Sequence, residues 1–179
     1  MATAMVTPDL DAIQAEIFVA APPERVFQAI TDPAQTAKWW GQNGVYRVTG
    51  GQSDLRPGGK WVSTGVGADG TEFSVEGEYL EVDPPRLLVH TWKKPSWASG
   101  LETIVRWELE PHGVHRLQGS TPQKVGTGTL VKLHHYGFAG DEKAVRGHGE
   151  GWKKVLGWMQ AFVETGETID TRKPVEAAR

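Results

Sequence analysis

One stretch near the C-terminus constrains this chain most, from Asp141 to Thr165. Val145, His148, Trp152, Val155, Met159 and Phe162 recur there at alternating steps of three and four. That is the period of a single helix face. Leu156 and Val163 widen the stripe, while Glu150, Lys153, Lys154, Gln160 and Glu164 fall mostly off it. Asp141 suits the N-cap, Glu142 the positive end of the helix dipole, and Gly166 the position just past the last turn. Such a helix spans roughly 35 Å at about 1.5 Å per residue, enough to cross a small domain. An apolar stripe of that length needs an equally long apolar cover.

Gly147, Gly149, Gly151 and Gly157 interrupt the stretch. Each costs about 1 kcal/mol against alanine inside a helix. Either the first three break the helix or loosen its start, leaving Trp152 to Val163 as its secure part, or they allow close approach of a sheet or room for a ligand.

The cover comes from upstream. Residues 1–9 read as a loose tail. Ile13, Ala15, Ile17 and Val19 alternate with polar neighbours, as in a half-buried strand. Ala21-Pro22-Pro23 ends that strand and opens a short helix with Val26, Phe27 and Ile30 on its apolar side. Thr31-Asp32-Pro33 starts a second short helix, with Asp32 as N-cap, running into Lys38-Trp39-Trp40-Gly41. Strands follow at Val45–Thr49, Lys60–Val66, Thr71–Val82, Leu87–Trp92, Glu102–Glu110 and Thr127–Tyr136. Turns at Arg56-Pro57-Gly58-Gly59, Ala68-Asp69-Gly70 and Asp83-Pro84-Pro85 separate the earlier ones. Gly50-Gly51 also reads as a turn, Lys93 to Gly100 as a loop, and Pro111 to Gly126 as an irregular hairpin tip. Residues 167–179 read as a frayed C-terminal tail. Hairpin succession makes an antiparallel sheet, and the long helix is the only element able to cover its apolar face. The expectation is one α+β domain over residues 10–166, with about seven strands and two short helices after the first.

Bulk properties narrow the function. A chain of 179 residues is long enough to bury a core without staples. It has no cysteine, which excludes disulfides, thiolate catalysis and cysteine-held metal. A net charge of −3 with no basic run argues against nucleic acid as a main partner. No apolar run approaches the roughly 20 residues of a membrane span, and residues 1–10 lack signal-peptide character. The reading is of a cytoplasmic protein, with no cofactor expected.

Several stretches together resemble a known family. Pro23-Glu24-Arg25-Val26-Phe27, Thr31-Asp32-Pro33 and Lys38-Trp39-Trp40-Gly41 resemble the entry of activator of Hsp90 ATPase homologue 1-like (AHSA1-like) proteins, of the START-like, or SRPBCC, superfamily. Arg56-Pro57-Gly58-Gly59-Lys60-Trp61 is similar to that family's glycine pair before its third strand. Asp69-Gly70 and Val82-Asp83-Pro84-Pro85-Arg86-Leu87 are similar to its next two turns, and Gly151-Trp152 to its C-terminal signature. The resemblance spans roughly residues 12–165. It implies a helix-grip fold, in which a curved sheet wraps the long helix around a cavity. Many relatives hold apolar small molecules there, a minority are enzymes such as aromatic cyclases, and the family takes its name from a eukaryotic co-chaperone.

Candidate residues follow. By strand parity Phe73, Tyr79 and Trp107 face the helix, and Trp152 faces back from it. Trp61 and Trp92 join the aromatic set. Trp39 and Trp40 sit on the second helix, which in this architecture guards one end of the cavity. Leu156 belongs to the helix stripe. These aromatics are either packed core or the wall of an apolar pocket, with Tyr79 and His90 as polar tips that orient a ligand. The six histidines offer no metal spacing. Adjacent His134 and His135 point to opposite faces of their strand, and His112 and His115 lie in the irregular segment. Glu72, Glu76, Glu78, Arg106 and Glu108 fall on the outer face. No nucleophile motif, metalloprotease motif or phosphate loop is present. The leading reading is a module that binds a hydrophobic small molecule. A protein-interaction role, with a chaperone as partner, stands second, and an enzyme using a histidine or Tyr79 as acid or base stands third.

Overall fold

The computed structural model describes residues 1–97 and 100–176. They form nine strands and three helices. The strands are β1 (Thr3–Val6), β2 (Ala12–Val19), β3 (Gly41–Gln42), β4 (Tyr46–Ser53), β5 (Lys60–Gly67), β6 (Glu72–Asp83), β7 (Leu87–Lys93), β8 (Glu102–Gln118) and β9 (Thr121–Tyr136). The helices are α1 (Pro23–Thr31), α2 (Pro33–Trp39) and α3 (Glu142–Thr165). One antiparallel sheet runs β1-β2-β9-β8-β7-β6-β5-β4-β3. Bulges between Val48 and Gly50, Tyr79 and Glu81, and Val114 and His115 bend its strands. The sheet curves around α3, which is the helix-grip fold.

α3 is continuous from Glu142 to Thr165, through all four glycines. Asp141 caps it by accepting from the Ala144 N–H at 3.0 Å, and Gly166 ends it in the left-handed region at φ 77°. A buried stripe of Val145, Trp152, Val155, Leu156, Met159 and Phe162 holds it against the sheet. That burial offsets the glycine penalties, because tertiary packing supplies most helix stability in proteins. Ile13, Ile17 and Val19 of β2, Val131 and Leu133 of β9, and Val105 and Leu109 of β8 complete this core.

Four sequence expectations are corrected. Residues 1–9 are not a loose tail, because Thr3–Val6 pairs with β2 along the Thr3↔Glu16 to Val6↔Ile13 register. A four-residue edge strand is too short to declare itself by alternation. Gly50-Gly51 lies inside β4, where a Cβ on Gly51 would come 2.4 Å from the Val62 carbonyl oxygen; glycine serves close strand approach there, not a turn. Pro111 to Gly126 is strand-paired hairpin, from Pro111↔Thr129 to Gln118↔Thr121 with one bulge between Val114 and His115. Its residues are largely exposed, so no apolar alternation marked it. Lastly, residues 167–176 are anchored and not frayed. Ile169 is buried and donates its N–H to the Lys38 carbonyl at 2.8 Å, and Val175 does the same to Asn43 at 2.9 Å. The buried Arg172 donates to the Trp39 and Gly41 carbonyls and to Glu167, and lies over the Trp158 ring. Two expectations extend past the described residues: the 93–100 loop at 98 and 99, and the C-terminal segment at 177–179.

Candidate functional site

The sheet is longer than the helix can cover. α3 packs on β1 and β2. Across β4 to β7 the sheet stands away from it, leaving a cavity of about 730 Å³. Its walls are Tyr46 and Val48 of β4, Trp61 of β5, Phe73, Val75 and Tyr79 of β6, and Leu88, His90 and Trp92 of β7. Trp107 of β8 forms the floor, and Gly147, His148, Gly151, Trp152 and Val155 of α3 the roof. Thr36 of α2 and Trp40, just past the end of that helix, close one side. At α3's entry, Lys94, Trp97, Asp141 and Lys143 border the cavity.

Trp92 is the centre of the aromatic wall. Its ring centroid lies 5.7 Å from those of Trp61 and Trp152, 6.3 Å from Trp40 and 6.2 Å from His148. Trp152 meets Trp107 edge-on at 5.5 Å. Centroid separations of this kind add attraction beyond the area buried.

Most sequence candidates converge here. Trp40, Trp61, Phe73, Tyr79, His90, Trp92, Trp107 and Trp152 all border the cavity. Trp39 does not. It is fully buried beneath α1, its indole N–H donating to the Ala29 carbonyl at 2.9 Å, and only Trp40 of the pair faces inward. Leu156 is also fully buried, in the core and away from the cavity. A helix presents several buried directions, and the stripe alone did not say which faced the hollow. The sequence reading missed Lys94, Trp97, Tyr46, Ser53 and His148 as wall residues. His148 carried a signal, since a titratable residue occupied the buried stripe four residues before Trp152.

Hydrogen bonding fixes the histidine tautomers. His90 donates from Nδ1 to the Thr91 carbonyl at 3.0 Å and accepts at Nε2 from Trp107 Nε1 at 3.3 Å. Thr103 Oγ1 donates to the Trp92 carbonyl at 3.2 Å, so it accepts from His135 Nε2 at 2.6 Å, and His135 Nδ1 accepts from Trp152 Nε1 at 3.0 Å. His148 donates from Nδ1 to the Ala144 carbonyl at 2.8 Å. All three are neutral in this arrangement. Burial is the main cause, holding His90 and His148 down to about 4 and His135 well below the ordinary imidazole value. The Lys94 charge adds to the depression at His148, and His148 and Lys94 add to it at His135. Tyr79 shares a 2.8 Å hydrogen bond with Ser53 Oγ, and burial pushes its phenol up.

On the far side of the sheet, Arg106 pairs with Glu108 at 2.6 Å and Lys132 with Glu110 at 2.7 Å. His134 points to this face while His135 is buried on the other. Among the described residues no group of three or more His, Asp or Glu has metal-holding geometry, and no helix is long and apolar enough to cross a membrane.

A curved antiparallel sheet closed on a C-terminal helix over an aromatic cavity defines a helix-grip, SRPBCC-type protein. Residues 20–117 match the family described as "Activator of Hsp90 ATPase homolog 1-like protein", and the chain belongs to that family. Family membership supports a ligand-binding or co-chaperone-like domain. No curated protein matches the chain. Among solved structures, the AHSA1 protein from Silicibacter pomeroyi is 27% identical, with 84% of this chain and 95% of that one covered at a TM-score of 0.63. A Rhodobacter sphaeroides protein, 19% identical, covers 91% and 98% at a TM-score of 0.69. CalU16 from Micromonospora echinospora, 22% identical, covers 93% and 85% at 0.57. The latter two likenesses concern the fold alone.

Proposed function

We propose that this protein binds an apolar or aromatic small molecule between the sheet and α3. The observation that carries the reading is the cavity of about 730 Å³, whose lining is predominantly apolar and includes nine Trp, Tyr and Phe side chains. Sites for drug-sized ligands have this size and this composition. A cavity left by imperfect packing would be far smaller, since protein interiors are close-packed. Native mass spectrometry of the protein from its own host tests it. A reproducible extra mass, lost on denaturation, supports the reading. A clean apo mass, together with no binding of the neutral dye N-phenyl-1-naphthylamine, overturns it.

The family match favours a second reading, an interaction module of the Hsp90 ATPase activator type. Stimulation of a chaperone's ATPase by the purified protein supports it, and no co-purification with any chaperone counts against it. Catalysis by His90 has less support, because both of its ring nitrogens are already engaged.

A further inference from the structure

The carbonyls from Lys38 to Gly41, where α2 ends, are all occupied, and a segment far away in sequence takes most of them. Ile169 donates its N–H to the Lys38 carbonyl at 2.8 Å. Arg172 Nη1 donates to the Trp39 carbonyl at 3.2 Å and to the Gly41 carbonyl. Between those two, the Trp40 carbonyl accepts from the Val48 N–H of β4 at 2.9 Å. The last carbonyls of a helix have no partner inside it, and a cation is favourable at that end. Arg172 therefore grips the chain on both sides of Trp40.

Fastening alone does not call for an arginine. Ile169 and Val175 already tie this segment to Lys38 and Asn43. Arg172 is the one Asp, Glu, Lys or Arg buried among the described residues, and taking a charge out of water opposes folding. What a guanidinium adds is geometry, because its donors point in fixed directions. Here they meet two carbonyls and, at 2.7 Å, the Glu167 carboxylate, with the Trp158 ring 5.4 Å beneath.

Trp40 is the residue that this geometry serves. It has left the helix, at φ −83° and ψ 94°, so the direction of its side chain depends on what holds the peptides beside it. Its indole joins the walls of the cavity. The ring centroid lies 6.3 Å from Trp92 of β7 and 5.9 Å from Trp152 of α3, and the N–H donates to Tyr46 Oη of β4 at 3.2 Å. Arg172 itself does not border the cavity.

We propose that Arg172 is a positioning residue for ligand binding, which sets the Trp40 indole as the side wall of the cavity by holding the carbonyls on either side of it. This rests on the reading of the cavity as an apolar binding site. A merely structural Arg172, capping α2 and fastening the C-terminal segment, would change stability and leave the affinity of the folded protein alone. A positioning residue changes affinity, and does so only while Trp40 is present.

The test is a double-mutant cycle on the intact protein, read by fluorescence titration with N-phenyl-1-naphthylamine. Arg172→Met keeps an apolar stem over Trp158 and removes the fork. It should weaken the dye at least about tenfold, a difference of about 1.4 kcal/mol. In a Trp40→Ala background the same change should cost less than about twofold, since independent sites would add. Fluorine NMR of protein labelled with 5-fluorotryptophan gives a reading without ligand. The Trp40 resonance, assigned by its loss in Trp40→Phe, should move in Arg172→Met while that of Trp107 stays. Arg172→Lys, with the charge but not the fork, should fall between wild type and Arg172→Met. Unchanged affinity in Arg172→Met, an unmoved Trp40 resonance, or equal losses with and without Trp40 overturns the positioning role and leaves the apolar pocket standing. If wild type binds no dye, the pocket reading fails, and the Trp40 resonance alone decides whether Arg172 sets that indole. If Arg172→Met fails to fold, Arg172→Lys runs the same cycle.

Discussion

The two flanks of α3 are made differently. Toward β1 and β2 the helix meets small and β-branched side chains, and Leu156 and Met159 are buried without residual space. Toward β4 to β7 the same helix turns two glycines, a histidine and a tryptophan to a hollow. Both flanks are apolar, so the hydrophobic effect alone does not separate them. What separates them is volume and distance. Bulges and a wide sheet carry β4 to β7 out of reach of the helix, and large aromatics line the gap without filling it. A stabilising core and a binding cavity thus share one helix.

The largest effects should come from deleting bulk on each flank. Trp107→Ala removes a cavity-floor indole and leaves His90 Nε2 without its donor. It should cost about 3–5 kcal/mol, read from urea unfolding. Leu156→Ala should cost about 2–5 kcal/mol. The flanks are told apart by ligand affinity of the folded fraction, which Trp107→Ala should lose and Leu156→Ala should keep. If both keep it, Trp107 is core and not pocket wall.

Acid should loosen one flank first. His90 and His148 border the cavity and are not on strands paired with β1 or β2; His135 lies beside them, its ring 5.3 Å from that of His148, on β9 opposite Ile13 of β2. His90 and His148 sit at about 4 in the folded protein, below the roughly 6.5 of an unfolded imidazole. The unfolded chain therefore binds protons first as pH falls. Stability is full above about 6.5 and drops between about 6.5 and 4, by up to about 1.4 kcal/mol per pH unit for each histidine. Amide exchange followed from pH 7.5 to 5 should show β7 and the first turns of α3 losing protection before β2. Loss that begins in β2 would contradict this.

How much of that contrast lay in the sequence depends on the element. The long helix, its caps and the alternating strands β2, β6 and β8 were legible because each buries one face and exposes the other. So were Phe73, Tyr79 and Trp107, which strand parity turned inward, whereas Trp61 and Trp92 were not assigned a face by it. The anchoring of residues 167–176 was not, because it rests on Ile169 and Arg172 reaching carbonyls distant in sequence, which no local pattern records. Lys94 and Trp97 were not legible as wall residues either, being in a loop without periodicity. Nor could the stripe on α3 distinguish Leu156 in the core from Val155 at the hollow, one position apart.

The smallest effects are the sharpest test of the two-flank picture, and they concern the helix glycines. A Cβ on Gly149 would come 3.1 Å from Val6 Cγ2, so this glycine serves the close approach of β1. A Cβ on Gly147, Gly151 or Gly157 meets nothing within 4 Å. Of these, Gly147 and Gly151 border the cavity and Gly157 does not. Alanine at an open helical position should add about 1 kcal/mol. Gly157→Ala should therefore stabilise without touching ligand affinity. Gly151→Ala should stabilise equally but weaken the ligand, because its methyl group takes cavity space. Gly149→Ala should gain less than either, since Val6 must yield, and leave affinity alone. Urea midpoints and ligand titrations on the three variants give six numbers, and a ligand effect shared by Gly151→Ala and Gly157→Ala would show that the glycines act through helix rigidity and not through room for a ligand.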